Sequence, residues 1–154
     1  MSEPGDETSN LARVVIDTNV LLLGMFTRGL SLPILQAWVR DQFVAVTSDE
    51  LLDELGEVSL RPKFKRRITK PDAEKLLELL YRKADVVKIA SPLNLGRDIE
   101  DYIVLGTAVN GQASYIVTAD KDLLDDQSLK TTMQKQGIQI LSAGEFIQVL
   151  KEKK

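Results

Sequence analysis

The sequence contains no cysteine and no histidine. Without cysteine there are no disulfides and no thiolate zinc sites, a composition that fits a reducing cytoplasm, the location expected here. Without histidine the usual general base is missing, and with it the serine and cysteine triads built on imidazole and the imidazole metal sites. A metal held by this chain is therefore a hard cation on oxygen ligands, magnesium or manganese before zinc or copper. No apolar run approaches the roughly 20 residues that span a bilayer, so no membrane partner is expected. The opening MSEPGDETSN lacks the basic start and apolar stretch of a secretory signal, and residues 1–11 read as a short disordered tail. A strong basic excess is missing too. The net charge is −3, so any nucleic-acid binding must rest on local charge.

What is present fits one domain, expected over residues 12–152. A chain of 154 residues supports a single core, and its 44% apolar and 28% charged content is ordinary for a globular protein. No repeat, low-complexity segment or linker interrupts it. Short β-branched runs predict strands at 12–16, 43–46, 85–89, 114–118 and 138–141. Helical stretches are predicted at 32–40, 49–58, 71–84, 99–109 and 144–151. Strands alternating with helices imply βαβ units, hence an α/β fold: a three-layer α/β/α sandwich on a mainly parallel sheet. Ligands in such folds collect outside the carboxyl ends of the strands.

Acids stand at that edge. Asp17 follows the first strand in VVIDTN, where it reads equally as a helix N-cap or a metal ligand. Asp120 and Asp122 follow the fourth strand in YIVTADKDLL; alone they are ordinary turn residues, and Asp122 also suits the start of a short helix. In SDELLDELGEV, a wheel groups Leu51, Leu52, Leu55 and Val58, with Glu54 at the border of that face and Glu50, Asp53 and Glu57 turned away. In RDIEDYIVLGTA, Asp101 stacks with Leu105 and Ala108 on a packed face. Asp98 and Glu100 suit first-turn stabilisation by the helix dipole. Carboxylates gathered from separate elements repel and raise one another's pKa unless a cation binds among them. Magnesium or manganese would relieve that cost and support phosphodiester hydrolysis without histidine.

The ordered set VVIDTNVLL, SDELLDELGEVSLRPKF, RDIEDYIVLGTA and YIVTADKDLL resembles the PIN domain, and most closely the bacterial PIN-family toxins of toxin–antitoxin pairs. The similarity runs from about Arg13 to the C-terminal helix. It implies a magnesium- or manganese-dependent endoribonuclease with Asp17, Glu54, Asp101 and Asp120 at the family's catalytic and metal-binding acidic positions. Asp122 joins them as a metal position, with Thr18, Asn19, Asp98 and Thr118 as accessory polar positions. It also implies a homodimer and a small antitoxin partner. Two positions depart from the family's usual pattern: Ile99 where relatives often carry proline, and Ser59 where they often carry leucine, the latter expected to alter how the second helix ends.

The densest basic stretch, RPKFKRRITK, offers Arg61, Lys63, Lys65, Arg66 and Arg67 to RNA phosphates, with Lys70 at its end. Phe64 within it reads either as a base-stacking ring or as a core residue. Trp38 and the stripe Leu76, Leu77, Leu79 and Leu80 read mainly as core. Competing functions fit less well. An aspartate-nucleophile phosphohydrolase wants a second acid where this chain has Asn19, a phospho-receiver domain wants acids that are not here, and DTNVLLLG is no glycine-rich dinucleotide turn. The remaining rival is a catalytically quiet PIN-like module that binds RNA or protein without cutting.

Overall fold

The computed structural model describes residues 11–26, 31–90 and 99–152. The tail predicted over residues 1–11 therefore lies outside the described residues, Leu11 excepted. Among them, five strands pair in parallel: β1 (Arg13–Ile16), β2 (Val44–Ser48), β3 (Asp85–Val87), β4 (Tyr115–Val117) and β5 (Gln139–Leu141), in the spatial order β3-β2-β1-β4-β5. Each overlaps a predicted strand. The sheet expected to be mainly parallel is parallel at every pairing described.

The helices are α1 (Thr18–Phe26), α2 (Ser31–Val39), α3 (Asp49–Ser59), α4 (Pro62–Lys65), α5 (Lys70–Lys83), α6 (Ile99–Asn110), α7 (Lys121–Leu124), α8 (Gln127–Gln134) and α9 (Ala143–Glu152). Of these, α1, α4, α7 and α8 were not predicted from periodicity, α7 being anticipated only in the reading of Asp122 as the start of a short helix. In α1 the reason is plain: VLLLGM is apolar on every side, so it has no stripe, and its residues Val20, Leu21 and Leu22 are all buried.

The alternation of side chains along a strand divides the core into two clusters, one on each face of the sheet. Val14, Ile16, Ala45 and Val117 face one layer, which gathers Leu22, Trp38, Leu55, Phe64, Leu80 and Phe146 from α1 to α5 and α9. Val15, Val46, Ile116 and Ile140 face the other, with Leu105, Leu123 and Met133 from α6, α7 and α8. The result is the α/β/α sandwich. Phe146 anchors α9 edge-on against Phe43, with ring centroids 5.2 Å apart. A reciprocal capping pair starts that helix: Glu145 accepts from the Ser142 N–H at 2.9 Å, and Ser142 Oγ accepts from the Glu145 N–H at 3.2 Å. No helix among the described residues is long and apolar enough to cross a membrane.

The strand order fixes where a site can form. The chain leaves β1 to build β2 and β3 on one side, then returns through α6 to build β4 and β5 on the other. The connections therefore diverge at the carboxyl ends of β1 and β4, and a crevice opens there. Asp17 and Asp120 follow those two strands.

Candidate active site

A cleft of about 290 Å³ opens at this point, lined by Asp17, Glu54, Asp101 and Asp120 together with Thr18, Asn19, Val58, Arg61, Val104, Ala119 and Lys121. The four acids singled out in the sequence thus arrive from four segments: the end of β1, the middle of α3, the first turn of α6 and the turn after β4.

Asp17 occupies the position before α1, and its carbonyl accepts from the N–H groups of Val20 and Leu21 at 3.0 and 3.2 Å. Its carboxylate does not act as a cap. A capping side chain accepts from the second or third helical N–H, whereas Asp17 Oδ1 accepts from the adjacent Thr18 N–H at 2.8 Å and Oδ2 from the Thr118 hydroxyl at 2.8 Å. Burial pushes the Asp17 carboxyl above its ordinary value near 3.8; the Thr118 and Thr18 hydrogen bonds oppose this, and the charges of Asp120 and Asp101 add to it.

Two threonines organise the acids. Thr118, fully buried at the end of β4, donates to Asp17 and accepts from the Asp120 N–H at 3.0 Å, so one hydroxyl fixes the carboxylate of one acid and the backbone of another. Thr18, also buried, donates to Glu54 Oε2 at 3.2 Å. Glu54 is half-buried while Glu50, Asp53 and Glu57 on the same helix are exposed, as the wheel predicted. Asp120 has two tasks: it lines the cleft, and its Oδ1 caps α7 by accepting from the Asp122 N–H at 2.9 Å. Asp122 itself is exposed in the first turn of α7 and is not among the cleft's lining residues. Asp98 lies outside the described residues.

The basic stretch divides. Arg61 stands at the cleft; Lys65 and Lys70 border a separate groove; Lys63, Arg66 and Arg67 are exposed on the surface. Phe64 is buried in the core, with the Lys63 ammonium 5.3 Å from its ring centroid, so base stacking on it is excluded. Ser59 is the last residue of α3, and its hydroxyl donates to the Gly56 carbonyl at 2.7 Å.

Sequence reasoning missed Lys121, Val58, Val104 and Ala119 at the cleft. Lys121 follows Asp120 directly, and nothing in its spacing marks it. It also missed Ser48, which caps α3 by accepting from the Leu51 N–H at 3.2 Å and meets Thr107 of α6 at 2.8 Å.

An all-oxygen donor set suits a hard divalent cation. Among the described residues no three of the carboxylates converge as closely as three direct ligands of one ion would. A family model described as PIN domain matches residues 13–122, a span that contains all four cleft acids. No curated protein matches the chain.

Proposed function

The chain belongs to the PIN domain family, and from that premise we propose that it is a magnesium- or manganese-dependent endoribonuclease that hydrolyses phosphodiester bonds in single-stranded RNA. The carrying observation is Asp17, a buried carboxylate facing the charges of Asp101 and Asp120, an arrangement that is costly unless a cation shares it. Asp17, Glu54, Asp101 and Asp120 would hold the ion, with Asp122 contributing from outside the cleft through its hydrogen bond to Asp120. When bound, the ion would supply Lewis-acid polarisation of the phosphoryl group and of a water.

The chain's own residues supply the rest. Thr118 locks the Asp17 carboxylate against the backbone of Asp120, and Thr18 orients Glu54. Arg61 and Lys121 bring positive charge to an otherwise acidic cleft, where a phosphate must approach carboxylates. Val58 and Val104 give the cleft an apolar wall, and Asn19 offers an amide at its exposed rim.

The test is incubation of the purified protein with mixed single-stranded RNA in EDTA, magnesium and manganese, beside Asp17→Asn and Asp101→Asn. Cleavage is expected only with metal and only by the parent. Equal cleavage by both variants would remove the acids from the mechanism. Manganese binding without cleavage of any RNA would leave the quiet binding module as the better reading. The motif order further supports a role as the toxin of a type II toxin–antitoxin pair, a cytoplasmic homodimer restrained by a small antitoxin. Growth arrest on induced expression, relieved by Asp101→Asn, and a dimer mass by light scattering are the expected results.

A further inference from the structure

Beyond the carboxylate cleft, a groove of about 510 Å³ lies between the end of α3 and the start of α5. Its apolar wall comes from Leu60, Ile68 and Leu77, and Leu60 is 63% exposed. Lys65 and Lys70 stand at its lips, against a single acid, Glu74. The groove and the cleft share a wall. Within the last turn of α3 and the residues after it, Val58 and Arg61 face the cleft while Gly56, Ser59 and Leu60 face the groove.

We propose that this groove seats an unpaired base of the same nucleic-acid strand that enters the cleft, with the flanking phosphates held by Lys65 and Lys70. The inference rests on the nuclease reading for the strand's identity. Three observations favour a nucleic acid over a protein segment. The cations at the groove belong to the run from Arg61 to Lys70, which leads from the cleft without an intervening acid. The groove shares α3 with the cleft, Glu54, Val58 and then Arg61 lining the cleft and Gly56, Ser59 and Leu60 the groove, so a strand crossing Arg61 reaches both. Of its two hydroxyls, Ser59 commits its proton to the Gly56 carbonyl, while Thr69 accepts from the Asp72 N–H and keeps its own proton. Base edges therefore meet a single uncommitted hydroxyl proton, that of Thr69, while the flat apolar face of any base meets Leu60, Ile68 and Leu77. The seat is sequence-tolerant, and it requires a base that is not paired, which assigns the substrate to single strands.

The experiment measures binding apart from cutting. A labelled short oligouridine is titrated with the full chain in EDTA, by fluorescence anisotropy, across a salt series. The variants are Leu60→Ser, the pair Lys65→Gln and Lys70→Gln, and Lys135→Gln, just after α8, as a charge control. For the lysine pair, the slope of log affinity against log salt should become shallower by about 1.4, roughly 0.7 for each single-strand phosphate that is no longer neutralised. Leu60→Ser, an exposed substitution that leaves folding intact, should weaken binding about fivefold at every salt concentration without changing the slope. Lys135→Gln should match the parent, and oligocytidine should bind as oligouridine does.

A parental slope in the lysine pair together with parental affinity in Leu60→Ser overturns the proposal and leaves the groove to a protein partner. Strong preference for one base overturns its sequence tolerance. The nuclease reading fails separately. If the oligonucleotide binds through the groove but manganese never produces cleavage, the groove assignment stands and the catalytic one falls. If RNA is cut equally well by the groove variants, the reverse holds.

Discussion

Ser48 and Thr107 form a buried link whose removal should loosen the candidate site as well as the fold. Thr107 Oγ1 lies 2.6 Å from the Ile103 carbonyl and 2.8 Å from Ser48 Oγ. Thr107 has one proton, and the carbonyl can only accept, so that proton goes to Ile103. Ser48 must then donate to Thr107 while accepting from the Leu51 N–H. One hydroxyl thus caps α3, which carries Glu54, and ties it to α6, which carries Asp101. Ser48→Ala loses the cap, about 1 kcal/mol, and one net hydrogen bond, about 0.5–1.5 kcal/mol. The sum is about 2 kcal/mol, which for a chain of this length lowers Tm by about 4–8 °C.

Thr107→Val keeps the cap but strands the Ser48 proton in a fully buried place, at about 1–2 kcal/mol. Since both variants break the same bond, the double variant should cost less than the sum by about 0.5–1.5 kcal/mol. Thermal or urea denaturation of the four proteins in EDTA measures this. Manganese titration of the same set should show weaker binding in each single variant and recovery in Ser48→Thr. Additivity within about 0.3 kcal/mol would refute the link. Destabilisation with unchanged manganese affinity would show that it holds the fold without placing Glu54 and Asp101.

Asp17→Asn should abolish metal-dependent cleavage yet stabilise the metal-free protein. Because the folded carboxyl titrates above its unfolded value, folded chains hold more protons in that window, and stability falls as pH rises through it. The variant's advantage in EDTA melts should thus be absent in acid and reach a plateau above the folded pKa; a constant advantage across pH would contradict the burial argument. Gly111→Ala should cost about 1–3 kcal/mol in denaturation, because the new methyl would lie 2.4 Å from Val46 Cγ1 and 2.9 Å from the Thr107 carbonyl oxygen. In cleavage assays Asp120→Asn should lose far more activity than Asp122→Asn, since only Asp120 lines the cleft; equal losses would place Asp122 in the machinery.

The acids were legible because each is marked by a local rule. Asp17 and Asp120 end strands, Asp101 shares a packed helix face, and Glu54 borders an apolar stripe, so the sheet rule alone assembles most of the cleft. What joins them was not legible. The hydrogen bond between Ser48 and Thr107 spans 59 residues, and that between Thr118 and Asp17 spans 101. Such pairs depend on strand order, which β-branched runs do not encode. The choice for Phe64 between base and core was likewise decided by tertiary packing, because a lone aromatic in a basic run carries no periodicity. The helix α1 escaped notice for the opposite reason: burial on all sides erases the polar stripe by which a helix is read.

The same topology that gathers the acids also moderates their repulsion. Asp17 immediately precedes α1 and Asp101 sits in the first turn of α6, so both lie at the positive ends of helices. Each such terminus favours a nearby anion by about 0.3–1 kcal/mol. Asp17 has two further donors, Thr18 N–H and the Thr118 hydroxyl. Its carboxyl is raised all the same, so burial and the neighbouring acids outweigh the two hydrogen bonds. Had the helices and hydroxyls neutralised the site fully, little electrostatic drive would remain for a cation to enter. Had they supplied nothing, the ends of β1 and β4 would carry unrelieved repulsion at a seam of the sheet. A raised but hydrogen-bonded Asp17 lies between these limits, and the residual repulsion is the quantity that the proposed ion would relieve.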